Sequence, residues 1–154
     1  MKTKKIITYL TQQNQSISFA ESCTGGRIAS AFTAISGASA VLNGSCVTYS
    51  NEIKHLWLGV SEEILEEFGA VSSECVMEML SGIAQKASAE YAIAVSGIAG
   101  PTGGSELKPV GTVYIGILTP KRTRIKKYLF DGNREEIQQQ ATDEAIELLY
   151  KNLK

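Results

Sequence analysis

The chain has 154 residues, of which 44% are hydrophobic and 20% are charged, and its net charge is −1. These values are typical of one globular domain with a real core, and the near-zero charge argues against a general nucleic-acid-binding protein. No apolar run is long enough to cross a bilayer, and the basic start of the chain lacks the apolar core and cleavage site of a secretory signal.

Three scattered cysteines, Cys23, Cys46 and Cys75, form an odd set that indicates a reduced, cytoplasmic setting rather than a disulfide framework. Because the chain has one histidine and no paired cysteines, we predict no metal site. We find no repeat or linker and therefore predict a single domain over 1–154.

The first half of the chain alternates helical and strand-like patterns. In order, the predicted elements are a helix over 2–13, a strand over 17–20, a helix over about 26–35, a strand over 40–49 in which Asn43-Gly44 marks a bulge or turn, and two short helices that follow Ser50 or Asn51 and Ser61 and end at Gly59 and Gly69.

The second half continues this mixture. It predicts a helix over about 74–88, a buried strand over 91–95, a loop over 96–105, a strand over 112–118, a hairpin to a strand over 123–130, and a last helix that opens with the capping box of Asn133 and Glu136. We therefore expect a three-layer α/β/α sandwich with a mixed sheet of about five strands, the last two antiparallel.

Residues 21–27 combine a carboxylate, two hydroxyls, a thiol and two glycines between a strand and a helix. Ser22 lies at the strand exit, where a nucleophile is exposed, and the first N–H groups of the helix favour an anion or a developing oxyanion. Ser22 and Thr24 are also common helix-capping residue types, so residue type and spacing leave a purely structural role open.

A serine nucleophile needs a base. His55 directly follows Lys54, and the two side chains point in different directions on a helix, which argues against a histidine triad. Lys54 is the other candidate, provided that burial or nearby positive potential lowers its pKa. Tyr49, at the end of the preceding strand, could relay a proton or fix the serine. The alternative for Lys54 is a solvated helix lysine.

The loop over 96–105 contains four glycines, Pro101 and several hydroxyl side chains. Such a loop suits a backbone cradle for phosphate, although a surface connection is the alternative. Because this loop and 21–27 both follow apolar strands, we expect them to converge beyond the ends of those strands. Arg134 could reach a phosphate or carboxylate there, or it could be solvated.

Taken together, these segments resemble the CinA C-terminal domain family, which includes competence/damage-inducible proteins and stand-alone nicotinamide-nucleotide amidases. The resemblance covers almost the whole chain. Its motifs, in order, are Ala20-Glu21-Ser22-Cys23-Thr24-Gly25-Gly26, Val47-Thr48-Tyr49-Ser50-Asn51-Glu52 with Lys54, Leu58-Gly59-Val60, Gly69-Ala70-Val71-Ser72, Gly97-Ile98-Ala99-Gly100-Pro101 with Gly103-Gly104, Lys108-Pro109-Val110-Gly111-Thr112-Val113, and Phe130-Asp131-Gly132-Asn133-Arg134.

The resemblance implies hydrolysis of the carboxamide of nicotinamide mononucleotide to nicotinate mononucleotide and ammonia, in pyridine nucleotide salvage. It implies a serine amidohydrolase without metal or cofactor, in which Ser22 matches the nucleophile and Lys54 and Tyr49 match the proton-transfer residues. The positions that match amide-oxygen, substrate and nucleotide binding are Thr24, Gly25, Gly26, Gly100, Thr102, Gly103, Gly104 and Arg134.

Two positions depart from the pattern of the family. Ser96 stands where threonine is frequent, and Asn133 stands where aspartate is frequent. Larger members carry a further N-terminal domain, so only the amidase activity carries over. We expect a small-molecule pyridine nucleotide as ligand, no nucleic acid or membrane partner, and a homodimer. The alternative function is a non-catalytic nucleotide-binding or partner-recruiting module linked to competence or DNA damage.

Overall fold

The computed structural model describes all residues, 1–154, and helices and strands alternate along it. The elements are α1 (Lys2–Gln13), β1 (Ile17–Glu21), α2 (Arg27–Thr33), a short 3-10 helix (Ala38–Ala40), β2 (Leu42–Val47), α3 (Asn51–Leu58), α4 (Glu62–Glu67), α5 (Ser73–Ala87), β3 (Tyr91–Gly97), β4 (Thr112–Leu118), β5 (Thr123–Leu129) and α6 (Arg134–Lys151).

The five strands form one sheet in the order β2-β1-β3-β4-β5. Strands β2, β1 and β3 are parallel, whereas β4 and β5 are antiparallel to their neighbours. The predicted mixed sheet and the antiparallel final hairpin are therefore confirmed. Ile17 pairs with Leu42 while Ser18 pairs with Gly44, so the chain bulges at Asn43, as the sequence predicted.

Helices cover both faces of the sheet. On one face α6 packs on β3 and β4, with α1 and α2 beside it, and on the other face α5 packs on β1, β3 and β4, with α3 and α4 outside it. Strand β1 alternates between these layers, because Phe19 belongs to the first core and Ala20 to the second. The three-layer α/β/α prediction is confirmed, and the near-continuous apolar patterns of β1 and β3 follow from burial on both faces.

Element boundaries differ from the sequence-based ranges by a few residues. Strand β1 includes Glu21, which pairs with both Val47 and Val95. Strand β2 begins only at Leu42, because Val41 N–H closes a 3-10 turn back to the carbonyl of residue 38. No helix is both long and apolar enough to span a membrane.

Candidate active site

The loops 21–27 and 96–105 leave the sheet at the same edge. They follow the neighbouring parallel strands β1 and β3, whose residues pair in register as far as Glu21 and Val95. One hydrogen bond extends this pairing past the strand end, since Ser22 N–H donates to the carbonyl of Val95 over 3.1 Å. The main chain of Ser22 is thereby fixed against β3.

The carboxylate of Glu21 is fully buried and binds the start of α2. Its Oε1 accepts from the Thr24 hydroxyl at 2.7 Å and from the N–H groups of Gly26 at 3.2 Å and Ile28 at 3.0 Å, and its Oε2 accepts from Ala29 N–H at 3.0 Å. The positive end of the helix dipole favours an anion at this position. The expectation that these first N–H groups receive an external anion is corrected, because an internal carboxylate already occupies them.

Two glycines make the turn between β1 and α2 possible. Gly25 and Gly26 have φ angles of 59° and 99°, a region that side chains other than that of glycine rarely adopt. The N–H of Gly25 donates to the carbonyl of Ser22 over 3.0 Å. Of the N–H groups in this turn, those of Cys23 and Thr24 have no acceptor elsewhere in the protein, so they are the two donors free to bind a ligand oxygen.

Lys54 lies inside the protein, with 1% of its surface exposed, and its amine reaches the serine. The Nζ atom is 3.1 Å from Ser22 Oγ, 2.8 Å from the carbonyl oxygen of Thr48 and 3.4 Å from that of Tyr49. Burial lowers the pKa of the Lys54 amine below its ordinary value. Ser50 caps the start of α3, its hydroxyl accepting from Ile53 N–H at 3.1 Å, and the helix packs against α5.

These contacts distinguish the alternatives that the sequence left open. Lys54 is not a solvated helix lysine, and the hydroxyl of Ser22 contacts Lys54 rather than capping α2. The hydroxyl of Thr24 likewise donates to Glu21, so the main-chain N–H is the one donor of Thr24 that is left for other partners.

The only histidine faces away from this cluster. His55 Nδ1 is 2.8 Å from the carbonyl oxygen of Val60, and its Nε2 is 3.6 Å from the carboxylate of Glu62 on α4. A surface cavity of about 480 Å³ lies on this side between α3 and α4, and none of its lining residues belongs to the Ser22 cluster. No group of three or more histidine, cysteine or acidic side chains is arranged to hold a metal ion.

Arg134, at the start of α6, contacts both the turn after β2, which contains Tyr49, and the loop 96–105. Its Nη2 donates to the Tyr49 hydroxyl at 2.7 Å, and its Nη1 donates to the carbonyl of Gly100 at 2.6 Å. Tyr49 is 61% exposed, and its hydroxyl contacts this guanidinium rather than Ser22 or Lys54. Direct contacts thus run from Ser22 through Lys54, Tyr49 and Arg134 to Gly100.

The remaining predicted residues lie in the outer part of the loop 96–105. Thr102, Gly103 and Gly104 are exposed and make no hydrogen bond to the cluster. Their N–H groups, like those of Ala99 and Gly100, have no acceptor in the protein. Such a run of free N–H groups is suited to an anion. Ser96, at the end of β3, is buried.

Sequence reasoning gave no role to two polar side chains that shape the turn, Glu21 and Gln138. The buried Nε2 of Gln138, on α6, donates to the carbonyl of Cys23 over 3.0 Å. The sequence contains a clue to each role. Because Gly25 and Gly26 have no side chain that could cap α2, a nearby polar side chain such as Glu21 is needed to bind the first N–H groups of that helix. Gln138 lies beside the apolar stripe of Ile137 and Ala141, where a buried amide needs a hydrogen-bond partner.

Comparison with known proteins gives a consistent result. The chain is 49% identical over 144 residues to a CinA-like protein of Endomicrobium trichonymphae, covering 94% of this chain and 34% of that protein. It is also 49% identical over 144 residues to a CinA-like protein of Fervidobacterium nodosum, covering 94% and 35%. The chain therefore spans about a third of the length of these curated relatives.

Solved structures agree in fold over nearly the full length of both chains. The competence damage-inducible protein A of Klebsiella pneumoniae superposes with a TM-score of 0.95 at 38% identity, covering 99% of this chain and 94% of that chain. The competence/damage inducible protein CihA of Agrobacterium tumefaciens superposes with a TM-score of 0.94 at 41% identity, covering 99% and 93%. Since the family model of the CinA C-terminal domain matches residues 1–153, the chain belongs to the CinA C-terminal domain family.

Proposed function

We propose that this chain hydrolyses the carboxamide of nicotinamide mononucleotide to nicotinate mononucleotide and ammonia, with Ser22 as nucleophile and Lys54 as base. The observation that carries the proposal is the buried amine 3.1 Å from the serine hydroxyl. A neutral amine has two N–H bonds and one lone pair. Its other two neighbours, the carbonyl oxygens of Thr48 and Tyr49, can only accept, so the lone pair is left for the proton of Ser22.

The proposed reaction is acyl transfer to water in two steps. Lys54 takes the Ser22 proton as Oγ forms a bond to the carboxamide carbon. The C–N bond then breaks, and the proton from Lys54 leaves with the nitrogen as ammonia. In the second step water loses a proton to Lys54 and attacks the resulting ester. Lys54 returns this proton to Ser22 Oγ as the C–O bond breaks, and the released carboxylic acid gives its remaining proton to solvent and leaves as the carboxylate.

The negative charge that develops on the carboxamide oxygen needs preorganised donors. The N–H groups of Cys23 and Thr24 are free within the protein, whereas those of Gly25 and Gly26 are occupied by Ser22 and Glu21. We therefore assign oxyanion stabilisation to the N–H groups of Cys23 and Thr24. This differs from the set Thr24 to Gly26 that the resemblance implies, because the N–H groups of Gly25 and Gly26 are occupied and that of Cys23 is free. The residue after the nucleophile supplies one such donor in other serine hydrolases.

The phosphate of the nucleotide is assigned to the second loop and Arg134. A guanidinium has five N–H donors, of which the contacts to Tyr49 and Gly100 use two. The free N–H groups from Ala99 to Gly104 lie in the loop that Arg134 contacts. In this proposal the Tyr49 hydroxyl orients Arg134, and the Tyr49 carbonyl accepts a hydrogen bond from Lys54. Tyr49 thus connects the residue that binds the phosphate with the residue that acts at the carboxamide.

The decisive experiment compares ammonia release from nicotinamide mononucleotide and from free nicotinamide. We expect turnover of the nucleotide to be strongly preferred, and Ser22→Ala to reduce it to background while the melting temperature and nucleotide binding are retained. Undiminished turnover in Ser22→Ala would refute the nucleophile. A preference for free nicotinamide would remove the phosphate assignment but leave the serine chemistry.

A non-catalytic nucleotide-binding module is the competing function, since the names of the solved relatives refer to competence and damage. Such a module needs the glycine loops but not Lys54. It predicts that the wild-type chain binds the nucleotide without ammonia release, and that Lys54→Ala binds it equally well.

A further inference from the structure

The side chain of Gln138 makes one contact outside its own helix that reaches the proposed reaction centre. It is 9% exposed on α6, and its Nε2 donates to the carbonyl oxygen of Cys23 over 3.0 Å. Burying an amide costs free energy unless it is hydrogen-bonded. The contact joins α6 to the turn that carries Ser22, although the two residues are 115 positions apart in the chain.

This hydrogen bond fixes a particular peptide plane. The bond between Cys23 and Thr24 is trans, because the only cis peptide in the chain precedes Pro101. In a trans peptide the C=O and the N–H point in opposite directions. A partner that holds the Cys23 carbonyl therefore also sets the direction of the Thr24 N–H, which has no acceptor in the protein.

The same peptide is restrained from its other side. The hydroxyl of Thr24 donates to the buried carboxylate of Glu21 over 2.7 Å, so Gln138 and Glu21 together restrict rotation of the plane. A hydrogen bond to the carbonyl of a peptide also polarises it and strengthens its N–H as a donor. Gln138 thus affects both the direction and the strength of the free N–H.

We infer that Gln138 is a positioning residue that directs the N–H of Thr24 toward the oxygen of the scissile carboxamide. The inference rests on the proposed amide hydrolysis and extends it, since Gln138 itself touches neither the serine nor the reacting atoms. It predicts a defect in the transition state and not in ground-state binding, because oxyanion donors act mainly on charge that develops during the reaction.

The test is Gln138→Met, which keeps the length and approximate volume of the side chain but removes the donor. We expect kcat for nicotinamide mononucleotide to fall about 10- to 100-fold, less than the roughly 100- to 1000-fold lost when a donor is removed outright. KM should change little. Gln138→Glu, which places an acceptor against the Cys23 carbonyl, should be at least as defective.

A second readout separates positioning from a merely structural role. Thionicotinamide mononucleotide carries sulfur, a weaker hydrogen-bond acceptor, at the position of the reacting oxygen. The ratio of kcat/KM for the amide to that for the thioamide, both followed by ammonia release, should be large in the wild type and fall severalfold in Gln138→Met. This ratio does not depend on the folded fraction of the preparation.

The matched control is Gln139→Met, the same change on the neighbouring residue of α6, whose Nε2 contacts only the exposed Asp143. It should leave kcat and the ratio at wild-type values. If Gln138→Met lost activity equally on both substrates, so that the ratio stayed at its wild-type value, the positioning role would be overturned. If the wild-type chain itself releases no ammonia from the nucleotide, the proposed function fails instead.

Discussion

Lys54 combines deep burial with an amine that faces a hydroxyl and two carbonyl oxygens. Desolvation by the surrounding core is the main reason that its pKa is lowered, and it favours the neutral amine. A charged amine would use its third proton on Ser22 and could not act as a base. The same burial therefore has one consequence for catalysis and another for stability.

For catalysis we predict that kcat/KM rises with pH through the lowered pKa of Lys54 and then becomes constant. Lys54→Met should lose at least about 100-fold in kcat, within the roughly 100- to 10,000-fold contribution of general acid–base catalysis. Initial ammonia-release rates over a pH series measure both effects. A wild-type profile that falls as pH rises through this range would contradict the assignment of Lys54 as base.

The stability of the wild type relative to Lys54→Met should also depend on pH. The unfolded chain holds the lysine proton up to about its ordinary pKa of 10.5, whereas the folded chain releases it at a lower pH. Between these two values the unfolded state binds more protons, so the relative free energy of unfolding rises with pH. Urea unfolding of both proteins at two pH values within this window provides the measurement.

At the scale of elements, the position of α3 against α5 determines where Lys54 lies. Gly82 of α5 faces the last residue of α3, and a Cβ at this position would lie 2.0 Å from the carbonyl oxygen of Leu58. That oxygen belongs to a helix backbone and cannot rotate away. Leu58 lies one turn after Lys54, so a displacement of α3 would also move the amine.

We predict that Gly82→Ala destabilises the protein by about 1–3 kcal/mol, the usual cost of overpacking, and reduces turnover because α3 moves away from Ser22. The matched control is Gly44→Ala, since a Cβ at Gly44 meets nothing within 4 Å. Thermal unfolding and ammonia release measure the two effects. If Gly82→Ala retained wild-type stability and turnover, the close helix contact would have no functional importance.

Local features of the elements were predictable from the sequence, and nonlocal ones were not. Capping side chains act within three residues, and the structure has side-chain caps at Ser50, Ser61, Ser72 and Asn133. The roles of Glu21, Lys54 and Gln138 depend instead on partners that only the fold brings together. A carboxylate after a strand, a lysine within a helix and a glutamine beside an apolar stripe each look like ordinary polar residues in the sequence.

At the scale of the whole molecule, the site is assembled from segments that are distant in the chain. Arg134 contacts the turn after β2 through Tyr49 and the loop after β3 through Gly100. The resemblance to a known family named Ser22, Lys54, Tyr49 and Arg134, which the structure brings into a continuous set of contacts, but also Thr102, Gly103 and Gly104, which make no hydrogen bond to that set. Which atoms pair could not be predicted, because neither composition nor periodicity indicates that the Tyr49 hydroxyl contacts Arg134 and not Ser22.

We predict that Arg134→Leu weakens binding of nicotinamide mononucleotide more than that of nicotinamide riboside, which lacks the phosphate. A hydrogen bond to a charged group contributes about 1.5–3 kcal/mol, so KM for the nucleotide should rise roughly 10- to 100-fold. The control is Arg124→Leu on the exposed strand β5. Equal losses on both substrates would assign Arg134 to loop positioning and not to the phosphate.

The carboxylate at the start of α2 has a further consequence for how a charged ligand approaches. Because Glu21 already occupies the N–H groups of that helix end, we expect an anionic group to be attracted to the side where Arg134 and the second glycine loop lie. An asymmetric field of this kind aligns a dipolar molecule before contact. For the proposed nucleotide substrate, we therefore expect the phosphate end to approach Arg134 and the uncharged amide to dock beside Ser22.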